Sequence, residues 1–182
     1  MFEDKVSPIS HKVQVSRLPK NGLEVTIEAD EEQREQLAEE HALRSVDALK
    51  ATLNVTAWKK GGVKVAGRVV ANIVQDCVVT LEPVEQVVDE EVSGLYVPEG
   101  SKLAIPVRSI EGEILLDAEG EDSPETFSGD FVDVGHLAEE FFAMGIDPYP
   151  RKPGAEVKSV EDDEDAPRGP LYEKLKALQK KS

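Results

Sequence analysis

A period-two alternation of apolar and polar residues runs through residues 63–88 and limits the possible folds more than any other feature of the chain. Its apolar members on one parity are Val63, Val65, Val69, Ala71, Ile73, Cys77, Val79 and Leu81. Successive side chains of a β-strand point to opposite faces, so the pattern predicts strands with one buried face. We expect a turn or bulge at Gln75-Asp76 and a bulge or close backbone approach at Gly67. Pro83 lacks an amide donor, which predicts an edge position for the strand that follows.

Further alternating segments precede this stretch. Residues 12–17 and 23–28 both alternate, and the Asn21-Gly22 pair between them indicates a β-hairpin. Alternation returns over residues 46–58. The two glycines within residues 59–62 then predict the turn into the central stretch.

Two peripheral helices are predicted, over about 30–43 and about 133–145. Asp30 is followed three residues later by Gln33, which is the spacing of a capping box, and this helix has only a narrow apolar stripe. Asp133 is in position to cap the second helix. The apolar stripe of that helix is the strongest in the chain and comprises Val134, Leu137, Ala138, Phe141 and Met144.

The order of these elements is strands, helix, strands and helix, with further short strand candidates at 103–107 and 113–116. This order favours an α+β fold with a mainly antiparallel β-sheet, or a partly open barrel, over a layout of repeated βαβ units. The helices lie at its periphery, and a further helix is predicted at the C-terminus.

The composition of the chain predicts a globular domain, a linker and a C-terminal helix. We expect one α+β globular domain over residues 1–155, in which residues 119–130 form a mobile acidic loop. Residues 156–169 have many charges and no apolar period, which is typical of a flexible linker. Residues 170–182 place leucines on one side and lysines around the rest, which predicts a short basic amphipathic helix.

Charge and hydropathy narrow the classes of partner. The formal net charge is -16, so the chain repels phosphate backbones at long range, and tight nonspecific binding of nucleic acid by the whole domain is disfavoured. Basic protein partners are favoured instead. The first residues contain no basic leader with an apolar run, and no stretch approaches the roughly 18 apolar residues of a membrane helix. We therefore expect a cytoplasmic protein without a membrane partner.

Cys77 is the first candidate for chemistry because it is the only cysteine. One cysteine forms no internal disulfide and cannot complete a zinc site by itself. A nucleophilic cysteine needs a basic neighbour, and the three histidines, His11, His41 and His136, occupy unrelated positions in the sequence. We expect Cys77 to be a small buried apolar residue, and a thiol-dependent enzyme is the alternative. No motif indicates a cofactor, a metal or a small-molecule substrate.

Basic and aromatic residues near the C-terminus are the candidate contacts with a nucleic acid or a protein partner. They are Arg168, Lys174, Lys176, Lys180, Lys181, Tyr149 and Arg151. The lysines could bind the phosphates of a nucleic acid, dock on an acidic partner or keep a tail solvated. Tyr149 and Arg151 could stack on a base, or they could belong to a proline-rich collar packed on the domain.

Three separated segments carry a family resemblance. Residues 67–84 contain GRVVA followed by QDCVVTLEPV, residues 132–140 read VDVGHLAEE, and residues 169–178 read GPLYEKLKAL. In this order and spacing, which cover most of the chain, the three segments resemble the bacterial YceD family of large ribosomal RNA subunit accumulation proteins. The resemblance identifies a set of motif residues with structural roles: Gly67, Cys77, Leu81, Glu82, Pro83, Asp133, Gly135 and Leu137.

The chain departs from the family pattern at cysteine positions. Many members have an arginine and a second cysteine where this chain has Val79 and Thr80, and some have a further cysteine pair where residues 151–157 have none. A four-cysteine zinc site is therefore impossible here.

The resemblance implies a non-enzymatic factor that supports large ribosomal subunit biogenesis and the accumulation of 23S rRNA. The expected partner is a large-subunit ribosomal protein, the 23S rRNA precursor, or both. Our hypothesis is that an acidic face meets a basic ribosomal protein while the terminal helix contacts rRNA. A protein-only adaptor that does not contact RNA is the alternative.

Overall fold

The computed structural model describes residues 6–104 and 124–156. In chain order the elements are β1 (Lys12–Gln14), β2 (Leu23–Glu28), α1 (Glu31–Glu40), β3 (Ser45–Trp58), β4 (Gly62–Asp76), β5 (Pro83–Pro98), β6 (Glu125–Phe127), β7 (Phe131–Asp133) and α2 (Val134–Met144). Short 3₁₀ turns occupy Val15–Arg17, Lys59–Gly61 and Lys102–Ala104. The predicted turn at residues 59–62 is therefore present as one of these turns followed by the first residue of β4.

The five strands of the main sheet are ordered β2-β3-β4-β5-β6. Neighbours are antiparallel except for β5 and β6, which run parallel. β1 and β7 form a separate antiparallel pair. The predicted α+β class is confirmed, and the sheet is not closed into a barrel.

One face of this sheet carries the hydrophobic core. The inward side chains of β4 are Val63, Val65, Val69, Ala71 and Ile73, all of them buried as the period-two pattern predicts. α1 packs against β3, and α2 packs against β4 and β5. Leu37 of α1 and Phe142 of α2 are fully buried in the same core. The two helices therefore cover the apolar face of the sheet.

The boundary between β4 and β5 differs from the prediction. The strand continues through Gln75 to Asp76, and the turn comes after it, over residues 77–82. Leu81, which the alternation places in the core, has a φ of 59° and is 74% exposed. The apolar–polar alternation of the sequence continues into the turn, but it does not indicate burial there because the backbone is no longer extended.

Gly67 lies in the middle of β4 without a bulge. It pairs with Leu53 of β3 and Val92 of β5 in continuous register, and the register shift lies instead between Val46 and Ala48. A Cβ built on Gly67 would overlap the carbonyl oxygen of Thr52. The expectation of close backbone approach is confirmed, and that of a bulge is wrong.

The predicted hairpin across Asn21-Gly22 is also wrong. β1 pairs with β7 and β2 pairs with β3, so the two segments belong to different sheets. Asp130 explains the separation: its carboxylate accepts from the amide of Ser16, and its carbonyl accepts from the amide of Val15. These bonds turn the chain after β1 before it can reach β2.

Both predicted helix caps are confirmed. Asp30 and Gln33 form the full capping box of α1, which ends at Glu40 rather than about residue 43 because Ala42 adopts a φ of 52°. Asp133 accepts hydrogen bonds from the amides of the first turn of α2.

The core stripe of α2 differs in one member from the predicted stripe. Val134, Ala138 and Phe142, spaced four residues apart, are fully buried, whereas Met144 is 68% exposed. The reason is that the last turn of α2 passes the sheet with Phe142 facing inward, which leaves Met144 on the opposite side.

Pro83 begins β5 and pairs with Asp76. β4 accompanies β5 along its length, but β6 pairs only with residues 96–98. Over the described residues, the rest of that edge of β5 has no strand beside it, in agreement with the edge position predicted after Pro83.

Several predictions concern residues outside the described ranges. These are the strand candidate at 113–116, most of the candidate at 103–107, residues 119–123 of the acidic loop, residues 157–169 of the linker and the helix at 170–182. The described part of the acidic loop contains β6, so Glu125–Phe127 is a strand rather than loop. The single domain over 1–155 stays a prediction. No helix in the described ranges is long and apolar enough to cross a membrane.

Gly67→Ala should lower the free energy of unfolding by about 2 kcal/mol or more, because the new methyl group overlaps backbone that the β3–β4 ladder holds in place. Urea denaturation monitored by circular dichroism measures this change. Ala66→Ser, at the exposed neighbouring position, should stay within about 0.5 kcal/mol of the wild type. Equal midpoints for the two variants would contradict the close approach.

Candidate functional site at the end of the central hairpin

A tight turn closes β4 and β5. The amide of Leu81 donates to the carbonyl of Cys77 at 2.9 Å, and the amide of Cys77 donates to the carbonyl of Glu82 at 2.8 Å. Leu81 occupies the left-handed region of φ, which is uncommon for a residue with a side chain. The turn therefore holds a large apolar side chain outward, in solvent.

The proline-rich segment after α2, residues 147–154, packs on this turn, and we call it the collar. The amide of Val78 donates to the carbonyl of Pro150 at 2.9 Å, and Lys152 Nζ lies 3.1 Å from Glu82 Oε1. The hydrogen bond and charge of Lys152 hold the pKa of Glu82 below its ordinary value. Pro150 itself is buried. These contacts match a collar packed on the domain, one of the two alternatives for the segment that carries Tyr149 and Arg151.

Two glutamines hold the exit of α2 against the sheet. Gln75 Nε2 donates to the carbonyl of Asp147 at 2.9 Å. Gln86 Nε2 donates to the carbonyl of Gly145 at 2.8 Å, and its Oε1 accepts from the amide of Asp147. Sequence reasoning missed both residues. The available signal was their parity, since Gln75 follows Ile73 on the buried face and Gln86 pairs with Ile73 across the ladder.

Cys77 is completely buried between the turn and the collar. Its Sγ accepts from the amide of Lys152 at 3.4 Å. This bond and further hydrogen bonds from Thr80 lower the pKa of the thiol to about 7, although burial acts in the opposite direction. A stabilised thiolate is chemically capable of nucleophilic attack, but a substrate cannot reach a sulfur with no exposed surface.

The three histidines lie away from this sulfur. His41 Nε2 is 3.0 Å from Glu139 Oε1, His136 pairs with Glu140 on the surface of α2, and the His11 amide donates to Asp133. None of them is a hydrogen-bond partner of Cys77 in the described part of the chain.

The donor set around Cys77 does not suit a metal ion. Thr80, three residues after Cys77, is a hydrogen-bond donor to the sulfur. Lys152 approaches from the collar through its amide rather than through a ligand atom. Within the described ranges, no group of three potential metal ligands is brought together.

The outer side of the turn and collar forms an exposed surface, which we call the hairpin-end surface. It consists of Val78, Leu81, Tyr149, Arg151 and Lys152. Leu81 is 74% and Tyr149 is 72% exposed. An exposed leucine, an exposed tyrosine and neighbouring cations are the side chains that protein or nucleic acid interfaces use.

The motif residues Asp133, Gly135 and Leu137 lie at the N-terminal end of α2. The Asp133 carboxylate accepts from the amides of Gly135 and His136 and from the N-terminal segment, through the Ser10 hydroxyl and the His11 amide. Burial opposes ionisation, but these four donors outweigh it and hold the pKa of Asp133 below its ordinary value.

Gly135 and Leu137 fit the packing at this end. A Cβ on Gly135 would overlap the carbonyl oxygen of Ile9. Leu137 is buried, and its side chain covers Gly94 of β5. The structure thus brings Gly135 and Leu137 to the N-terminal half of α2, and Cys77, Glu82 and Pro83 to the turn beside its exit.

Glu139 is a buried carboxylate that sequence reasoning did not single out. Burial raises its pKa, but hydrogen bonds from His41 and Ser7 outweigh this effect and hold the pKa below the ordinary value. His41 also packs edge-on against Phe142. Glu139 therefore ties α2 to the end of α1 and to the N-terminal segment.

The fold and the site together define an α+β protein whose only thiol is closed off and most of whose motif residues lie beside the two ends of α2. A family model described as large ribosomal RNA subunit accumulation protein YceD matches residues 65–178. The match covers more than half of the chain, and the chain belongs to this family. Membership supports a role in the accumulation of the large ribosomal RNA subunit. No curated protein and no solved structure matches the chain.

The remaining predicted contacts, Arg168, Lys174, Lys176, Lys180 and Lys181, lie outside the described residues. The structure therefore places only Tyr149 and Arg151 of the predicted contact residues, and both are exposed on the collar.

Glu139→Gln should flatten the loss of stability on acidification. A carboxylate whose pKa is depressed by folding stabilises the protein above the ordinary value of 4.5, and this stability is lost as the pH falls through the folded value. The slope contributed by one such group is at most about 1.4 kcal/mol per pH unit. Urea unfolding at several pH values between about 3 and 6 measures it.

Glu140→Gln is the matched variant of opposite sign. Burial raises the pKa of Glu140, so this group becomes more stabilising as the pH falls. Its removal should make the free energy of unfolding decrease more steeply on acidification. If the free energy of unfolding decreased equally steeply on acidification in the wild type and both variants, the environments described for the two neighbouring carboxylates would be contradicted.

Proposed function

We propose that this protein is a non-enzymatic factor of the cytoplasm that supports accumulation of 23S rRNA by binding a large-subunit ribosomal protein or the rRNA precursor. The observation that carries the proposal is the family match over residues 65–178, which includes the turn, the collar and all of α2. The geometry of the site supports it, because the described residues present surfaces for contact rather than a cleft around a reactive group.

Charge supports a basic protein as one partner. The chain carries a net charge of -16, and opposite surface potentials accelerate association and select against wrong partners. Ribosomal proteins that bind rRNA are positively charged because they neutralise phosphates. An acidic factor can therefore occupy such a protein before the rRNA does.

The hairpin-end surface supports a direct contact with a macromolecule. Exposed Leu81 is held outward by a left-handed backbone, an arrangement that adds neither to the core nor to the ladder. Tyr149 and Arg151 lie on the collar that is bonded to the same turn. We propose these residues as contacts of the partner.

The basic C-terminal residues Arg168, Lys174, Lys176, Lys180 and Lys181 are proposed as contacts with rRNA phosphates. Phosphate contacts release counterions and make binding depend on salt. Deleting residues 169–182 should reduce association with large-subunit precursors, with a larger loss at low salt than at high salt. Sedimentation of tagged protein with precursor particles at several salt concentrations measures the effect.

Ribonuclease treatment distinguishes this proposal from a protein-only adaptor. A partner that remains bound after RNA digestion, together with unchanged association of the 169–182 deletion at every salt concentration, would remove the rRNA contact from the proposal. Loss of the partner on RNA digestion would support the proposed contact with rRNA.

Cys77→Ser tests the non-enzymatic part of the proposal. Serine keeps the size and the ability to accept from the Lys152 amide but lacks a nucleophilic thiolate at neutral pH. We expect the variant to restore 23S rRNA in a strain that lacks the gene, to the same level as the wild type. A fully inactive variant with an unchanged melting temperature would indicate a thiol-dependent enzyme instead.

A further inference from the structure

One edge of β5 is paired only at its end. β4 pairs with β5 from Pro83 to Tyr96, whereas β6 pairs with residues 96–98 alone. In the described part of the chain, no other strand lies beside β5. Residues 85–91 are clear of the turn and of β6, and we call them the open edge. At about 3.4 Å per residue the open edge is about 24 Å long, which exceeds the length of an average strand.

The hydrogen bonds at the two ends of β5 show which backbone groups face the open edge. At the turn, the amide of Cys77 donates to the carbonyl of Glu82 at 2.8 Å, so this pair of opposite residues is hydrogen-bonded. Bonded pairs alternate along an antiparallel ladder, so the even-numbered residues of β5 bond to β4. Beyond the other end, the amide of Glu99 donates to the carbonyl of Phe127 at 3.0 Å. Both ends indicate that the odd-numbered residues direct their N–H and C=O groups away from β4.

Four residues of the open edge therefore present backbone groups that the ladder does not use. They are Glu85, Val87, Asp89 and Glu91, and all four are exposed. Within residues 6–104 and 124–156, their amides and carbonyls have no hydrogen-bond partner on that side. Such an edge is a template for one more strand, because the added strand bonds to groups that are already in register.

The side chains of the open edge favour a basic strand. Arg68 of β4 pairs with Asp89, while Glu85 and Glu91 form no ion pair with any described residue. Opposite charges on facing residues of neighbouring strands stabilise the pair, and like charges destabilise it. A strand with Lys or Arg at alternate positions is therefore complementary to this edge.

The same charges disfavour other occupants. A second copy of the chain would place its acidic side chains opposite those of the open edge. Residues 105–123 contain six acidic residues and one arginine, so their charge is of the same sign as the edge. Nucleic acid has no peptide groups to continue the ladder, and its phosphates are repelled.

We propose that the open edge binds an extended basic segment of a protein partner as an additional antiparallel strand. Lys or Arg side chains of this segment lie opposite Glu85 and Glu91. An apolar side chain lies opposite Val87, which is 64% exposed. The open edge begins next to the hairpin-end surface, so one partner can contact both. The inference rests on the proposed function, for which it specifies the charge and the backbone conformation of the protein partner.

Amide hydrogen exchange of the free protein, measured by NMR, tests whether the edge is open. The amides of residues 85, 87, 89 and 91 should exchange about tenfold faster, or more, than those of residues 86, 88 and 90, which bond to β4. Equal protection of the two sets would show that another part of the chain or a second copy covers the edge, and would overturn the proposal.

The probe for binding is a fluorescent peptide of about nine residues that alternates Lys with Thr and has Val in place of the central Lys. In an antiparallel pair, the residues opposite the odd-numbered residues of β5 direct both backbone groups toward it. N-methylation at the Lys and Val positions should therefore weaken binding about tenfold, and N-methylation at the Thr positions should change it less than about twofold. Fluorescence anisotropy with the full-length protein gives the affinities. Equal affinities of the two methylated peptides, or the reverse order, would overturn the proposal, because their charges are identical.

Val87→Lys tests the position on the protein. A lysine at the centre of the open edge repels the basic strand and removes its apolar contact, so we expect the peptide to bind about tenfold more weakly. The matched control is Thr26→Lys, an exposed position on β2 at the opposite side of the sheet, with affinity within about twofold of the wild type. An equal loss in both variants, or a loss in the control alone, would overturn the assignment to β5.

The double variant Glu85→Gln and Glu91→Gln keeps the size of both side chains and so preserves the test if Val87→Lys fails to fold. We expect peptide binding about fivefold weaker and less dependent on salt, because two exposed charge pairs are lost. The control is the double variant Glu24→Gln and Glu31→Gln, which changes the net charge equally at exposed positions away from β5. Equal losses in the two double variants would show attraction to the overall charge and would overturn the proposal.

Failure of the open edge is distinguishable from failure of the proposed function. The purified proteins of the large subunit, free of rRNA, and purified 23S rRNA are tested as separate ligands of the wild type and of Val87→Lys. Binding of a ribosomal protein that Val87→Lys loses supports the inference. Binding that is confined to 23S rRNA overturns the inference and leaves the proposed function intact. Normal levels of 23S rRNA in cells that lack the gene would refute the proposed function, even with peptide bound at the edge.

Discussion

Burial of the inward side chains of β4 is the interaction on which the rest of the structure depends. Five apolar side chains from Val63 to Ile73 are buried between the sheet and the helices, and each contributes up to about 1.5–3 kcal/mol on removal from water, less for alanine. β4 is also hydrogen-bonded to β3 and β5 on its two sides. Gly67 permits this arrangement, because any side chain at its position would overlap β3. Without this central strand, β3 and β5, which the two helices contact, would have no ladder between them.

The same strand determines where the turn that contains Cys77 and Glu82 lies. β4 and β5 are long, so the turn that joins them lies at the far end of the sheet, beside the exit of α2. Gln75 and Gln86 bond that exit through its backbone, and the collar then closes over Cys77. A buried thiol with a lowered pKa is the consequence of this packing. The backbone amides that donate hydrogen bonds to the Cys77 sulfur connect the turn to the collar. The sulfur therefore has a structural role and no exposed surface.

Local rules predicted those features that depend on near neighbours in the sequence. The capping box at Asp30 and the cap at Asp133 follow from interactions within four residues, and both are present. The predicted hairpin at Asn21-Gly22 was wrong because β1 pairs with β7 and β2 pairs with β3, and both partner strands come later in the chain. Gln75, Gln86 and Glu139 were missed for a related reason. A polar residue at a buried position has a role only through its partner, and all three partners are distant in sequence.

The sequence by itself determined the α+β class, the buried face of β4, both helix starts and the resemblance to a family. These depend on periodicity and short-range capping, which a linear pattern contains in full. Only the tertiary structure decided the order of the strands, the outward position of Leu81 and the enclosure of Cys77. Each of these depends on which distant surfaces pack together, and the free energy of that packing has no counterpart in any local segment.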